Sequence, residues 1–461
     1  MASFVVRQSG PLSGTLRAGG AKNSALKLMA ACLLAEGRHV LSNVPRITDV
    51  EIMADLLRAT GATVTRADRT ASAAGTAASA SDDPPDLIID VPPDLVPVAP
   101  YELVEKMRAS IVLLGPLLAR TGEARFSLPG GDDFGSRPID IHLGAFEAMG
   151  ARFDVVHGYI EAEVGEPRPA GRDARVGRSE APGRTGRDTL VGQRERLVGT
   201  KVVLEYPSHT ATDNVLMAAT LAKGTTVIEN AAREPEVVDL ARMLRSMGAR
   251  IEGAGTSLIE VEGVDELSPA SHRVIPDRVV AATYMAAVGL AGGDVTIEDA
   301  RPDHMDMLIR KLGDMGLLVS QGPEGLRARS QGRLRSVDLA TLPYPGVATD
   351  YKPFVVTMLA VADGVGIVTE NLFEGRFRYV EELRRMGADI TTEGHHAVVR
   401  GVERLSGAPV KAPDLRGGAA LVLAGLAAEG ETVVSAVEHI ERGYEDLPGK
   451  LRSVGALVER R

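Results

Sequence analysis

Two stretches of the chain carry residue types whose spacing suits anion chemistry. In Gly19-Gly20-Ala21-Lys22-Asn23-Ser24 a lysine and an amide stand where a strand-like segment passes into an apolar helix. Such a junction can hold a phosphate or carboxylate, with the free N–H groups of the first helical turn contributing. The G-x-x-x-x-G-K-[ST] spacing of an ATP-cradling loop is not met, which argues against an ATPase. The second stretch opens with Lys106-Met107-Arg108-Ala109-Ser110. It continues through Leu128-Pro129-Gly130-Gly131-Asp132-Asp133-Phe134-Gly135-Ser136-Arg137-Pro138-Ile139-Asp140. A Pro-Gly-Gly turn followed by two acids, a glycine and an arginine is a poor packed element. It reads as a glycine-hinged functional loop over about 129–135.

Other chemistries are disfavoured. The single cysteine, Cys32, sits in the apolar run Ala30-Ala31-Cys32-Leu33-Leu34, so it reads as a buried structural thiol and permits neither an intrachain disulfide nor a cysteine metal site. The nine histidines are scattered, and the adjacent pair His395-His396 lacks the i, i+4 spacing that turns two imidazoles towards one ion, so no metal is expected. A formal charge of -10 argues against general nucleic-acid binding, which needs a positive footprint. An anionic ligand would therefore need locally clustered arginines. The N-terminus lacks the apolar core of a signal peptide, and no run of about 18 apolar residues occurs, so a cytoplasmic protein without a membrane segment is expected.

The elements that must position these residues follow a repeat. An apolar Ala/Leu-rich helix ends at a glycine, and a second, amphipathic helix ends at another glycine 23 to 28 residues later. Six such pairs occur. The first helices close at Gly37, Gly122, Gly224, Gly292, Gly364 and Gly430, and the second at Gly61, Gly150, Gly248, Gly316, Gly387 and Gly455. Near-identical text surrounds three of the latter, as in Leu244-Arg245-Ser246-Met247-Gly248-Ala249 and Leu451-Arg452-Ser453-Val454-Gly455-Ala456. Strand-like runs follow, so each unit is expected to be helix, strand, helix, strand. At 461 residues the chain exceeds a single core, and six units divide into two α/β lobes of three. Residues 70–81 and about 165–196 break the pattern and read as a surface loop and an Arg/Gly/Pro-rich insertion.

Taken in order along the chain, the motifs resemble those of the UDP-N-acetylglucosamine 1-carboxyvinyltransferase family of enolpyruvyl transferases. To the two stretches above are added Asn230-Ala231-Ala232-Arg233-Glu234-Pro235-Glu236, Thr349-Asp350, Phe373-Glu374-Gly375-Arg376-Phe377, Asp414-Leu415-Arg416 and His439-Ile440-Glu441-Arg442-Gly443-Tyr444. The resemblance implies a two-lobed inside-out α/β barrel with three repeats per lobe. One lobe would span 22–275, with the mobile loop near 129–135 and the insertion, and the other 1–21 plus 276–461.

The resemblance also implies a reaction and a site. A substrate hydroxyl adds to C2 of phosphoenolpyruvate while a proton reaches C3, and phosphate then leaves, with no cofactor. Lys22, Arg108, Asp132 and Arg442 would surround the phosphate, and Arg376 and Arg416 would grip the carboxylate. Asp350 would be the general base and Asp132 the general acid. Asn23 would contact the acceptor and the tetrahedral intermediate, Arg137, Pro138, Ile139, Asp140 and Ser208 would form the uridine-nucleotide site, and Asp350 would complete the nucleotide-sugar set. Two positions depart from the family pattern. Asp132 stands where most members carry the cysteine attacked by fosfomycin, which implies an insensitive enzyme. His209-Thr210 replaces an apolar residue and a glycine in Tyr206-Pro207-Ser208-His209-Thr210-Ala211-Thr212. That change leaves three readings open: transfer to UDP-N-acetylglucosamine, transfer to another nucleotide such as UMP, and a nucleotide-binding regulator without turnover. The oligomeric state is not legible.

Overall fold

The computed structural model describes residues 2–66, 87–131, 139–165, 195–373 and 375–461. The predicted loop at 70–81 and nearly all of the 165–196 insertion lie outside these residues, as do Asp132, Arg137 and Pro138.

Among the described residues the helices of seven or more residues come in six pairs, besides the single α-helical turns Tyr101–Val104 and Glu438–Glu441. The first members are α1 (Lys22–Ala31), α3 (Leu114–Thr121), α5 (His209–Ala219), α7 (Arg278–Ala291), α9 (Lys352–Val361) and α11 (Leu415–Ala427). These are apolar nearly all round, and in α7 and α11 every residue from Arg278 to Gly289 and from Leu415 to Leu426 is buried. A helix without a polar face has to sit inside other elements. Each lobe accordingly puts its first helices at the centre and its sheets outside, and α7, α9 and α11 pack directly on one another. The second members are α2 (Thr48–Ala59), α4 (Asp140–Ala148), α6 (Pro235–Ser246), α8 (Asp306–Asp314), α10 (Tyr379–Arg385) and α12 (Leu447–Ser453). They are two-faced; α8 buries only Leu308 and Leu312.

The expected helix, strand, helix, strand unit is one strand short. After the second helix the chain makes a hairpin, for example Ala151–Val156 with Tyr159–Val164, turning at His157 and Gly158, both with positive φ. The return strand pairs with the strand between the helices. In most units a parallel edge strand from elsewhere is added, such as Ser271–Arg273 beside Gly37–Ser42 and Leu12–Arg17 beside Gly293–Glu298. The return strands do alternate, as Tyr159–Val164 and Gly325–Ser330 show, but they are only five or six residues long and are not separated by pattern from the strand before them. In the last unit the return strand is N-terminal: Ser3–Arg7 runs between Glu431–Ser435 and Leu457–Arg460.

Two hydrophobic cores result. One draws on residues from Ala21 to Val274, the other on Phe4 to Ala18 and Val279 to Val458. The two chain segments passing between them run side by side: Ala21 N–H donates to Ile275 O at 2.7 Å and Asp277 N–H to Gly19 O at 2.8 Å. No helix among the described residues is long and apolar enough to cross a membrane.

Candidate active site

The crossing of the two segments places Lys22. Asp277 caps α7 by accepting from Val279 N at 2.7 Å and Val280 N at 3.0 Å, and its other oxygen accepts the Lys22 backbone N–H at 3.1 Å. Lys22 therefore starts α1 on the seam between the cores. Its Nζ lies 2.6 Å from Asp49 Oδ2. Arg442, from the other core, grips the same carboxylate with Nε on Oδ1 at 2.9 Å and Nη2 on Oδ2 at 3.3 Å. Burial alone would raise the Asp49 carboxyl, but Lys22 and Arg442 hold it below the ordinary range. One buried anion thus fixes two cations, one from each lobe.

Asp350 organises the second group. It lies just before α9, and Arg376 Nη2 donates to Oδ1 at 2.7 Å while Arg416 Nε reaches Oδ2 at 3.4 Å. Against the effect of burial, these two arginines, with Lys22 further off, hold the Asp350 carboxyl well below the usual carboxylate range. The two groups meet at Gly443, where a Cβ would lie 2.8 Å from Leu415 Cδ2, next to Arg416, and 3.3 Å from Lys22 Cδ. Arg376 is itself braced: its Nη1 donates to Thr349 Oγ1 at 3.0 Å, which donates to Glu370 at 2.6 Å. Glu370 pairs at 2.8 Å with the fully buried Lys352, whose Nζ also donates to Arg376 O at 2.7 Å. Arg416 lies 5.2 Å from the Tyr444 ring centroid, and its Nη1 is buried with no hydrogen-bond partner among the described residues. A buried guanidinium donor without a partner is costly.

Arg108 opens a short helical turn, Arg108–Leu113, beside the glycine loop. Its Nη1 donates to Pro129 O at 3.1 Å, and burial lowers its basicity. Both glycines of Pro-Gly-Gly are required by close approach: a Cβ on Gly130 would meet Glu105 O at 1.8 Å, and one on Gly131, where φ is +105°, would meet Arg108 N at 2.9 Å. The segment leading to Asp132 is therefore seated on the turn that carries Arg108. Asn23 follows Lys22 in α1. Ile139, buried, and Asp140, exposed, open α4, and Ser208 caps α5 by accepting from Ala211 N at 3.3 Å. His142 and Asn214, 3.2 Å apart, join α4 to α5.

The structure thus gathers Lys22, Asp350, Arg376, Arg416 and Arg442, with Arg108 on the turn beside the glycine loop. Sequence reasoning missed Asp49, the Thr349–Glu370–Lys352 brace and Lys27 with Asp213. Asp49 reads in sequence as an ordinary acid in a first helical turn, and no local signal separates it from Glu51. Among the described residues no group of three or more His, Cys, Asp or Glu side chains is placed to hold a metal ion.

Paired helices inside two lobes thus set two groups of cationic side chains, one around Asp49 and one around Asp350, on the seam between the cores. The chain matches the EPSP synthase (3-phosphoshikimate 1-carboxyvinyltransferase) family over residues 6–177 and 183–451. It is 44% identical over 458 residues to UDP-N-acetylglucosamine 1-carboxyvinyltransferase 1 of Caldanaerobacter subterraneus subsp. tengcongensis, covering 99% of each chain. It is 45% identical over 460 residues to UDP-N-acetylglucosamine 1-carboxyvinyltransferase of Nocardia farcinica, covering 99% of this chain and 98% of that one. The chain belongs to this carboxyvinyltransferase family. Its fold is similar to that of the enolpyruvyl transferase NikO from Streptomyces tendae, with TM-score 0.81 and 23% identity over 100% of this chain and 98% of that one. EPSP synthase from Acinetobacter baumannii shares the fold at TM-score 0.69 and 17% identity, each chain covered in full.

Proposed function

We propose that this enzyme transfers the enolpyruvyl unit of phosphoenolpyruvate to the 3-hydroxyl of UDP-N-acetylglucosamine, releasing phosphate and opening peptidoglycan synthesis in the cytoplasm. The observation that carries this reading is the pair of cation groups on one seam, one for each anionic end of phosphoenolpyruvate. Lys22 and Arg442, with Arg108, would take the phosphate. Arg376 and Arg416 would take the carboxylate, as guanidinium forks suit planar oxyanions. Asn23, Arg137, Pro138, Ile139, Asp140 and Ser208 would hold the nucleotide sugar.

In the addition step Asp350 accepts the proton of the attacking hydroxyl, whose oxygen bonds to C2, and Asp132 delivers a proton to C3. In the elimination step the Asp132 carboxylate takes a proton back from C3, the double bond re-forms and the C2–O bond to phosphate breaks, the proton held by Asp350 leaving with the phosphate. Asp350 enters this cycle with its oxygens engaged by Arg376 and Arg416. As the carboxylate of phosphoenolpyruvate takes over those guanidiniums, Asp350 loses counter-charge and becomes a better base. Substrate binding thereby switches on the group that activates the acceptor.

The direct test is phosphate release from phosphoenolpyruvate in the presence of UDP-N-acetylglucosamine, with UMP in a parallel assay. Turnover with the nucleotide sugar and none with UMP is expected. Turnover with UMP alone would assign another acceptor, and none with either would leave a nucleotide-binding regulator.

Asp132 also sets a drug response. A carboxylate is a far weaker nucleophile than a thiolate towards an epoxide, so preincubation with fosfomycin should leave activity unchanged. Asp132→Cys should introduce time-dependent, phosphoenolpyruvate-protected inactivation. Covalent loss of activity in the unsubstituted enzyme would refute this reading of position 132.

A further inference from the structure

His209 is the departure from the family pattern that the catalytic scheme leaves unused, and its surroundings are specific. It is the first residue of α5. Its Nε2 lies 3.0 Å from Lys27 Nζ, which comes across from α1, and 3.4 Å from Asp213 Oδ2 one turn further along α5. Lys27 Nζ is in turn 3.1 Å from Asp213 Oδ2. Lys27 and Asp213 are buried, while the imidazole is partly open.

An ammonium has only donors, so at 3.0 Å from Lys27 the His209 Nε2 has to accept. The ring proton then sits on Nδ1. Burial, followed by the charge of Lys27, pushes the imidazole well below its ordinary pKa, so the ring is neutral at physiological pH. Lys27 and Asp213 offset one another, and the trio adds one directed donor without net charge. Among the described residues Nδ1 makes no hydrogen bond. The charges that reach the ring besides Lys27 are Glu236 on α6, Arg278 on α7 and Asp350 before α9. The same residues tie the lobes together beside α5: Glu236 at the start of α6, which packs against α5, pairs at 2.9 Å with Arg278 of the other lobe, and Arg278 donates at 3.1 Å to Tyr351 Oη, next to Asp350.

We propose that His209 is an acceptor-specificity residue, held as its Nδ1–H form by Lys27 and donating that hydrogen to an oxygen of the nucleotide-linked acceptor. The inference rests on the enolpyruvyl-transfer reading above. It makes the imidazole a contact to the acceptor and leaves the phosphoenolpyruvate site untouched. Lys27 and Asp213 act through it, as positioning residues. An apolar side chain of similar width removes the donor, whereas asparagine keeps an N–H close to the Nδ1 position.

The test is steady-state kinetics of His209→Val and His209→Asn with both substrates varied. His209→Val should raise KM for UDP-N-acetylglucosamine about tenfold or more, the effect of losing one directed hydrogen bond in a desolvated site. Its kcat and its KM for phosphoenolpyruvate should stay within about twofold. His209→Asn should recover most of the loss. An unchanged acceptor KM in His209→Val would overturn the proposal. So would a His209→Asn enzyme as impaired as the valine variant, since the role would then be packing. The unsubstituted enzyme is the control that separates the two readings. If it releases no phosphate with this acceptor, the functional assignment fails and the inference fails with it; if it turns over and the valine variant matches it, only the role of His209 fails.

Discussion

Asp350→Asn is expected to lower kcat by about 10²- to 10⁴-fold, the range for removing a positioned general base, without raising KM for phosphoenolpyruvate. The unusual half of this expectation is the second. Asp350 is hydrogen-bonded to Arg376 and Arg416, the two guanidiniums assigned to the substrate carboxylate. An amide in its place cannot compete for them with a carboxylate, so phosphoenolpyruvate should bind at least as well as before. Initial-rate kinetics with both substrates varied separate the two effects. A kcat within about threefold of the unsubstituted enzyme would remove Asp350 from the base role.

The same geometry governs the pH response. The Asp350 carboxyl is held below its unfolded value, so the stability from its ion pairs is fully present above the ordinary aspartate range of about 4 and is lost only as pH falls through the depressed folded value. The free enzyme consequently carries Asp350 ionised throughout the working range. An acid limb in kcat/KM for phosphoenolpyruvate between pH 5 and 7, a window chosen around neutrality on the order of ordinary assays, has to come from another group or from the second ionisation of the substrate phosphate.

How much of this could be read from residues alone depended on how local the determining physics is. Helix ends were legible because they are decided within a few residues: Gly122 and Gly248 take φ of 76° and 108°, where other side chains are strained. The central position of α7 and α11 came from the sequence only through the inside-out barrel that the resemblance implies, although a helix apolar all round has to be interior. The return strands were not legible, because runs such as Leu258–Glu262 gain their place only by pairing back on the strand between the helices, Thr225–Glu229. The edge strand Ser271–Arg273 pairs with residues more than two hundred positions away, which nothing in its own sequence announces. In the site, Lys22 and the Pro-Gly-Gly loop stood out by composition. Arg376, Arg416 and Arg442 entered only through resemblance, because a lone arginine reads most simply as a surface charge. Asp49 and Asp213 were invisible: each looks like a helix acid until the fold brings a lysine from α1 against it.

Asp49→Ala should be the more disruptive change for phosphate binding, lowering kcat/KM for phosphoenolpyruvate by about 10²-fold or more. Asp49 bridges Lys22 of one lobe and Arg442 of the other through contacts of 2.6, 2.9 and 3.3 Å, and it is buried. Hydrogen bonds to charged groups contribute about 1.5–3 kcal/mol each. Without the shared carboxylate, two cations face each other across a buried space and repel. Their displacement by about 1 Å is enough to cost about 10²-fold in rate where groups must be aligned. Asp49 does not touch the reacting atoms in this scheme; it positions those that do. The signature of that role is a loss confined to phosphoenolpyruvate and to inhibition by inorganic phosphate, with KM for the acceptor unchanged. Asp49→Asn, which keeps the shape but halves the accepting capacity and removes the charge, should fall between the alanine variant and the unsubstituted enzyme. If Asp49→Ala bound and turned over phosphoenolpyruvate normally, Lys22 and Arg442 would have to be fixed by the substrate phosphate alone, and the bridge between the lobes would be dispensable.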